Sequence, residues 1–354
     1  MYLFYALVLI IPMFALRKRT ANDGEILDAK STTCLKGIFC LYVMLHNLGL
    51  DLPNPPIKEA ICEHTGGIGV GLFFFLSAFG IIRSYQRKGN KYLLKLLLVH
   101  IPKLYLISVG INLLTYFVFF RDAFETGDLL MRIFNLDVFN GFNRMNRHGW
   151  YISTIIGMYL LFALIYFICS KLKTDKKFII AGFVLAFFAI AFRVGAKIAD
   201  NGGMYTRELP TFAIGCVYAT FYDKINAWAK KYFYWGLGLC IPLIVVGLLW
   251  VEAPGTYASA IMIILVSQKF TYYHPVTFFF GKICIGVYLF LHFSSLALQI
   301  YLFTNDYWWV LLNAGFIIEL SVLLYAVELG LTRLTERTKL LFKNRKRKTK
   351  QPLP

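Results

Sequence analysis

The chain runs to 354 residues, 58% of them hydrophobic and only 16% charged, with a mean hydropathy of +0.61 and a formal net charge of +18. These proportions exclude a soluble globule and predict an all-α, polytopic integral membrane bundle, because hydrocarbon tolerates only backbone that satisfies its own polar groups. The basic residues fall in short loops between apolar runs, which argues for membrane lipid and no nucleic acid as partner, and the seven dispersed Cys lack a Cys-x-x-Cys pair, which argues against a disulfide framework or a zinc site.

Eleven helices are predicted, at 2–16, 32–50, 66–82, 92–120, 149–170, 178–199, 208–222, 232–251, 255–267, 277–301 and 307–330. The first has no basic residue before it and Arg17-Lys18-Arg19 after it, so it reads as a retained helix with its N-terminus outside. The fourth is too long for one simple span, and a break is expected near Pro102. The ninth is short enough to be tilted or re-entrant. With the N-terminus outside, 25 of the 37 Lys and Arg fall in the loops 17–31, 83–91, 171–177, 223–231 and 268–276 and the tail 331–354, against six in the opposite loops. This bias puts the C-terminus in the cytoplasm and makes the basic run Lys343 to Lys350 a topology determinant resting on anionic lipid. The outer loop from Arg121 to His148 alternates charges with Phe, Leu and Ile and is expected to lie partly in the interface, where it could line an acceptor cleft.

The second helix carries Leu35-Lys36-Gly37-Ile38-Phe39-Cys40-Leu41-Tyr42-Val43-Met44-Leu45-His46-Asn47. A lysine at the centre of a membrane helix costs roughly 2.5–3.5 kcal/mol, and ionisable groups inside spans point to function. Ten residues of helix set Lys36 and His46 about 15 Å apart. A cation there could hold a charged handle at one membrane face while the imidazole does chemistry deeper in. The alternative is that Lys36 snorkels to headgroups and His46 hydrogen-bonds within the bundle. Three further segments stand out: the glycine-rich run from Gly66 through Phe73-Phe74-Phe75-Leu76-Ser77-Ala78-Phe79-Gly80, Trp150-Tyr151 opening a span, and Gly281-Lys282-Ile283-Cys284 leading to Tyr288 and His292. Close helix packing explains the glycines without chemistry.

In their order and spacing, over about residues 32–330, these four segments resemble the membrane-bound acyltransferase family 3, which includes O-acetyltransferases of lipopolysaccharide, capsule, exopolysaccharide and peptidoglycan. The resemblance implies a ten-helix acyltransferase core at 32–330, preceded by an extra helix and loop at 1–31 and followed by a basic cytoplasmic tail at 331–354. It implies transfer of an acyl group, most simply acetyl, from acetyl-CoA or another acyl-CoA to a hydroxyl of a surface glycan or lipid-linked sugar, in a bacterial cytoplasmic membrane. His46 is then the general base or an acyl-carrying nucleophile, and Asn47 orients the imidazole or donates to the oxyanion. Lys36, Arg83, Lys95 and Lys103, near cytoplasmic helix ends, are the candidate cations for the donor's phosphates, or ordinary positive-inside anchors. Ser77, Trp150, Tyr151 and His292 are the candidate substrate contacts; an interfacial aromatic belt is the plainer role for Trp150 and Tyr151.

Three departures from the family pattern bear on the site. Many relatives place the histidine eleven residues after the basic residue, where this chain has Asn47. Eleven residues return to within about 20° of one helix face, whereas ten leave the side chains about 80° apart. Ser-Gly is Ser77-Ala78 here, and His100-Ile101-Pro102-Lys103 stands where relatives favour Arg. The competing classes are a transporter or flippase of a lipid-linked glycan, weakened by the lack of paired broken-helix repeats, and a family member that only binds acyl donors.

Overall fold

The computed structural model describes residues 10, 14–20, 23–50, 63–120, 127, 130, 133–134, 149–198, 206–301 and 307–348, with the backbone alone at 50, 63, 149, 299–301, 307 and 334–348. Its elements are, in order, β1 (Leu16–Lys18), α1 (Ala29–Leu50), α2 (Glu63–Lys88), α3 (Asn90–Phe119), α4 (Gly149–Ser170), α5 (Lys177–Ile198), α6 (Leu209–Thr220), α7 (Tyr222–Lys231), α8 (Phe233–Leu249), α9 (Glu252–Val266), β2 (Phe270–Tyr272), α10 (Pro275–Tyr301) and α11 (Tyr307–Lys348). The bundle is all-helical apart from the antiparallel ribbon that pairs Leu16 with Tyr272 and Lys18 with Phe270.

Among the described residues, α2, α3, α4, α5, α10 and α11 are long and apolar enough to cross a membrane, and α7 with α8 makes a seventh candidate if that bent pair is one span. Eleven helices were expected and eleven are described, although the two sets differ in particular segments. The predicted helix 2–16 lies almost wholly outside the described residues, and its last residue, Leu16, opens β1. The expected loop 223–231 is instead the amphipathic helix α7. It meets α8 at 91°, and a helix with Lys224, Lys230 and Lys231 exposed and Tyr222, Asn226 and Ala229 buried suits a membrane surface. The last helix runs to Lys348, past the expected end at 330.

Segment 32–50 is helical, beginning at Ala29, and it is not among the six candidate spans. Its polar residues need no lipid-compatible face because α2 and α10 enclose it. Two glycines permit that enclosure: a Cβ on Gly37 would overlap the Thr277 carbonyl, and one on Gly281 would overlap the Thr33 carbonyl. The Lys-Gly and Gly-Lys steps, far apart in sequence, are thus the two sides of one helix crossing. The run on α2 does the same for other neighbours, with Gly66 against His46, Gly67 against Glu252, Gly69 against Val43 and Gly71 against Thr256. Close packing, the plain reading of these glycines, is what they do.

The break expected near Pro102 is a π-helical stretch at Leu96–His100. Proline has no N–H to donate and crowds the carbonyl four residues back, here Leu98. Gly89, at φ +56°, joins α2 to α3 in a backbone conformation that residues with a Cβ rarely adopt.

One end of the bundle is basic and tied by long-range bonds. Glu25 pairs with both Arg83 and Arg87, the Tyr222 hydroxyl donates to the Ile26 carbonyl at 2.8 Å, and Arg19 donates to the Gly24 carbonyl at 2.7 Å. The opposite end gathers the close of α1 and the starts of α2, α6 and α9.

Candidate functional site

A cavity of about 270 Å³ opens between α1, α2, α3, α4 and α10. Four of the sequence candidates line it, one from each of α1 (Lys36), α2 (Ser77), α3 (Lys103) and α4 (Tyr151). Lys103 is exposed and pairs with Glu328 of α11 at 2.7 Å, whereas Lys36 makes no ion pair among the described residues. The deeper wall is a tyrosine cluster: Ser77 hydrogen-bonds with both Tyr151 and Tyr159, and the Tyr288 hydroxyl bonds to the Tyr151 backbone. Tyr151 stacks edge-on against Phe74 at 5.0 Å and against Tyr288 at 5.2 Å, which holds its ring at the wall. A cation and hydroxyl donors in an otherwise apolar chamber suit a ligand that carries both an anionic group and a carbonyl.

The remaining candidates lie elsewhere. Arg83 pairs with Glu25 at 3.3 Å and sits over the Tyr222 ring at 4.0 Å, a structural cation of the basic end. Lys95 is exposed on α3, close enough to His100 for their charges to interact. Trp150 packs on Phe74 at 6.5 Å, and His292 follows Tyr288 by one turn on the same face of α10, outward of the cavity. Asn47 spends its amide on its own helix, donating to the Val43 carbonyl at 2.8 Å.

His46 lies outside the polar cavity. Its imidazole ring packs flat against Gly66, where no Cβ would fit. The helical period explains the displacement: His46 shares a face with Leu35, Phe39 and Tyr42, and that face borders a second cavity. This one, about 480 Å³, lies between α1, α2, α8 and α9 and is lined almost entirely by apolar side chains, with Tyr42, Thr65 and Ser259 among its few polar ones. Phe39 lines it, Phe73 lines the polar cavity, and the two rings meet edge-to-face at 6.0 Å as the partition between them.

Sequence reasoning missed a charged cluster at the same end as His46. Arg207 bonds Glu208 at 2.6 Å and Glu252 at 3.0 Å, and Glu208 is only 2% exposed. Glu252 occupies the space a Cβ on Gly67 would fill, one residue along from the Gly66 that receives His46. A carboxylate flanking an apolar run was the available signal, since buried charges in a membrane protein are rare without a partner. Tyr92 and His100 also line the polar cavity from α3 and were not among the candidates.

The outer loop 121–148 lies mostly outside the described residues, although Tyr105 of α3 bonds the Ile133 carbonyl within it. Among the described residues no cluster of His, Cys, Asp or Glu could hold a metal ion.

The family suggested by the four segments can be tested against the whole chain. Residues 30–327 match the acyltransferase domain of acyltransferase family 3. No curated protein and no solved structure matches. A match over that span, joined to a bundle in which six of the described helices are long and apolar enough to cross a membrane, separates the enzyme from a transporter without acyl chemistry. The chain belongs to acyltransferase family 3 and is an integral-membrane acyltransferase.

Proposed function

We propose that the chain is an O-acyltransferase that takes an acyl group, acetyl in the simplest case, from acyl-CoA on the cytoplasmic side and passes it to a hydroxyl of a cell-surface glycan or lipid-linked sugar at the outer side. The observation that carries this reading is the convergence of Lys36, Ser77, Lys103 and Tyr151, from four helices, on one cavity. Lys36 is the cation for the donor's phosphates, and the Ser77–Tyr151–Tyr159 cluster supplies hydroxyl donors along the thioester arm. His46, about two helical turns outward of the Phe39–Phe73 partition, takes the proton of the acceptor hydroxyl as its oxygen attacks the thioester carbonyl. The coenzyme leaves as the thiol, so the C–S bond breaks as the C–O bond forms. Asn47 is a neighbour that holds the helix end, and His292 and Trp150 flank the route outward.

The orientation follows from the loop charges. In a Cys-free background, Asn143→Cys should react with an impermeant maleimide added from outside, and Lys173→Cys should not; the reverse pattern would remove the cytoplasmic donor. The reaction itself is tested by mass spectrometry of surface glycans from cells with and without the protein. One acetyl mass lost on deletion supports the reading, and identical spectra together with no acetyl release from acetyl-CoA by the purified chain would refute it.

A further inference from the structure

The second cavity bears on the acceptor. Its walls are Leu35, Ile38 and Phe39 of α1, Ile68 and Leu72 of α2, and apolar residues of α8 and α9. The ribbon floors it at the basic end, where Leu16 and its partner Tyr272 both reach the lining. The groove therefore runs from the ribbon at the basic end toward the opposite face. Toward that face lie Tyr42 and Thr65, and next to them, one turn along α1 and one residue along α2, the His46 imidazole on Gly66. Beside this point, over the next turn of α2, Arg207, Glu208 and Glu252 set one cation against two carboxyl groups, whose oxygens can accept from hydroxyls. The Phe39–Phe73 pair divides this groove from the donor's cavity about two helical turns inward of His46, so thioester and hydroxyl would meet outward of that pair.

We infer that this groove seats the hydrocarbon tail of an amphiphilic acceptor, a lipid-bearing sugar, whose hydroxylated head is thereby presented to His46. The inference rests on the acyltransferase reading above and narrows its acceptor from glycans in general to lipid-bearing ones. A water-filled groove is excluded by its lining, because water needs several polar partners that these walls do not offer. A lining that is apolar over most of its length, with Tyr42 and Thr65 beside His46, fits a molecule with one tail and one head.

The experiment uses the full chain in detergent and two acceptor probes with the same head, methyl glucoside and octyl glucoside, plus an octyl glucoside carrying a diazirine on the chain. The photoprobe should label groove residues such as Ile244 and Met262 in preference to the lipid-facing Leu239 and Phe187, and Met262→Trp, or Ser259→Phe should the first not fold, should remove that preference. With acetyl-CoA as donor, octyl glucoside should show a KM at least about tenfold below that of methyl glucoside, since each buried methylene favours binding. The same groove-filling variants should erase the difference.

Labelling spread evenly over groove and outer surface, or equal KM values for the two glucosides, would overturn the seat while leaving the acyltransferase reading intact. Groove labelling displaced by octanoyl-CoA would assign the groove to the donor's acyl chain, and labelling displaced by phospholipid but not by octyl glucoside would assign it to bulk lipid; either overturns the inference. Groove labelling displaced by octyl glucoside, with no transfer to any acceptor, would support the seat and count against the acyltransferase reading.

Discussion

The two sides of α1 differ in nearly every physical respect. On one side, Lys36 faces a cavity with hydroxyl-bearing walls; on the other, Leu35, Ile38 and Phe39 face a groove that is almost wholly apolar. One residue of register separates the two sets, since successive side chains on a helix turn by about 100°. A histidine at the commoner eleven-residue spacing would share the face of Lys36. Here it shares the face of Tyr42, and the residue in the aligned position is an asparagine bonded to its own helix. The difference teaches that a one-position change in a membrane helix can move a reactive group from one chamber to another without disturbing the packing around it.

The sharpest way to break this comparison is to remove His46. His46→Ala should lower transfer by about 10²–10⁴-fold, the range for a general base, while leaving membrane expression and acyl-CoA binding nearly unchanged. Full activity would exclude His46 as the base, and loss of the protein from the membrane would assign the ring a packing role on Gly66.

The crossing that holds α1 between its two cavities can be tested by stability. Gly281→Ala should destabilise by about 1–3 kcal/mol, because its methyl meets the Thr33 carbonyl of α1. Gly80→Ala, with nothing within 4 Å of its added methyl, should stabilise by about 0.5–1 kcal/mol through helix propensity alone. Thermal melts in detergent that gave both variants the same sign would show that the crossing is looser than the structure indicates.

The polar side is tested by charge reversal. Lys36→Glu should weaken acyl-CoA binding about tenfold or more, as loss of a charge-assisted contact does, whereas Lys346→Glu in the tail should change it less than about twofold through a screened surface field. Lys103→Glu should fall between them, because the exposed pair with Glu328 already engages that lysine. Equal effects from all three, measured by calorimetry, would reduce these lysines to topology anchors.

The smallest and most discriminating change is a swap. His46→Asn combined with Asn47→His moves the imidazole to the Lys36 face. If the histidine must stand at the mouth of the apolar groove, the swap should be no more active than His46→Ala; recovered activity would show that the polar-cavity face is the productive one.

Much of this arrangement was legible in the chain. Apolar runs marked the helices, Lys36 stood out as an ionisable group within a span, Lys103 as a cation near a helix end, and Ser77 and Tyr151 through the resemblance of their segments to the family pattern. The glycines were recognisable as packing points, yet their partners were not. The Ala78 methyl, where relatives carry Gly, is accommodated by Gly215 of α6, and nothing local to either residue announces the other. The strand Leu16–Lys18 is three residues long and exists only because Phe270–Tyr272 lies alongside it, so no propensity could reveal it. Helix α7 was misread as a loop because its lysines satisfied the positive-inside pattern, although the same lysines mark the polar face of an interfacial helix.

By itself, then, the sequence determined the helical membrane class, the family and the residue types available for acyl transfer, because these depend on composition, local periodicity and the order of short segments. Only the tertiary structure decided which of those residues meet. The cavity of Lys36 and Tyr151, the partition of Phe39 and Phe73, and the Arg207–Glu208–Glu252 cluster beside His46 all join residues far apart in the chain. Contacts of that kind are set by which glycine admits which neighbour and by the rotation of each helix about its axis, and neither quantity is written in any single segment.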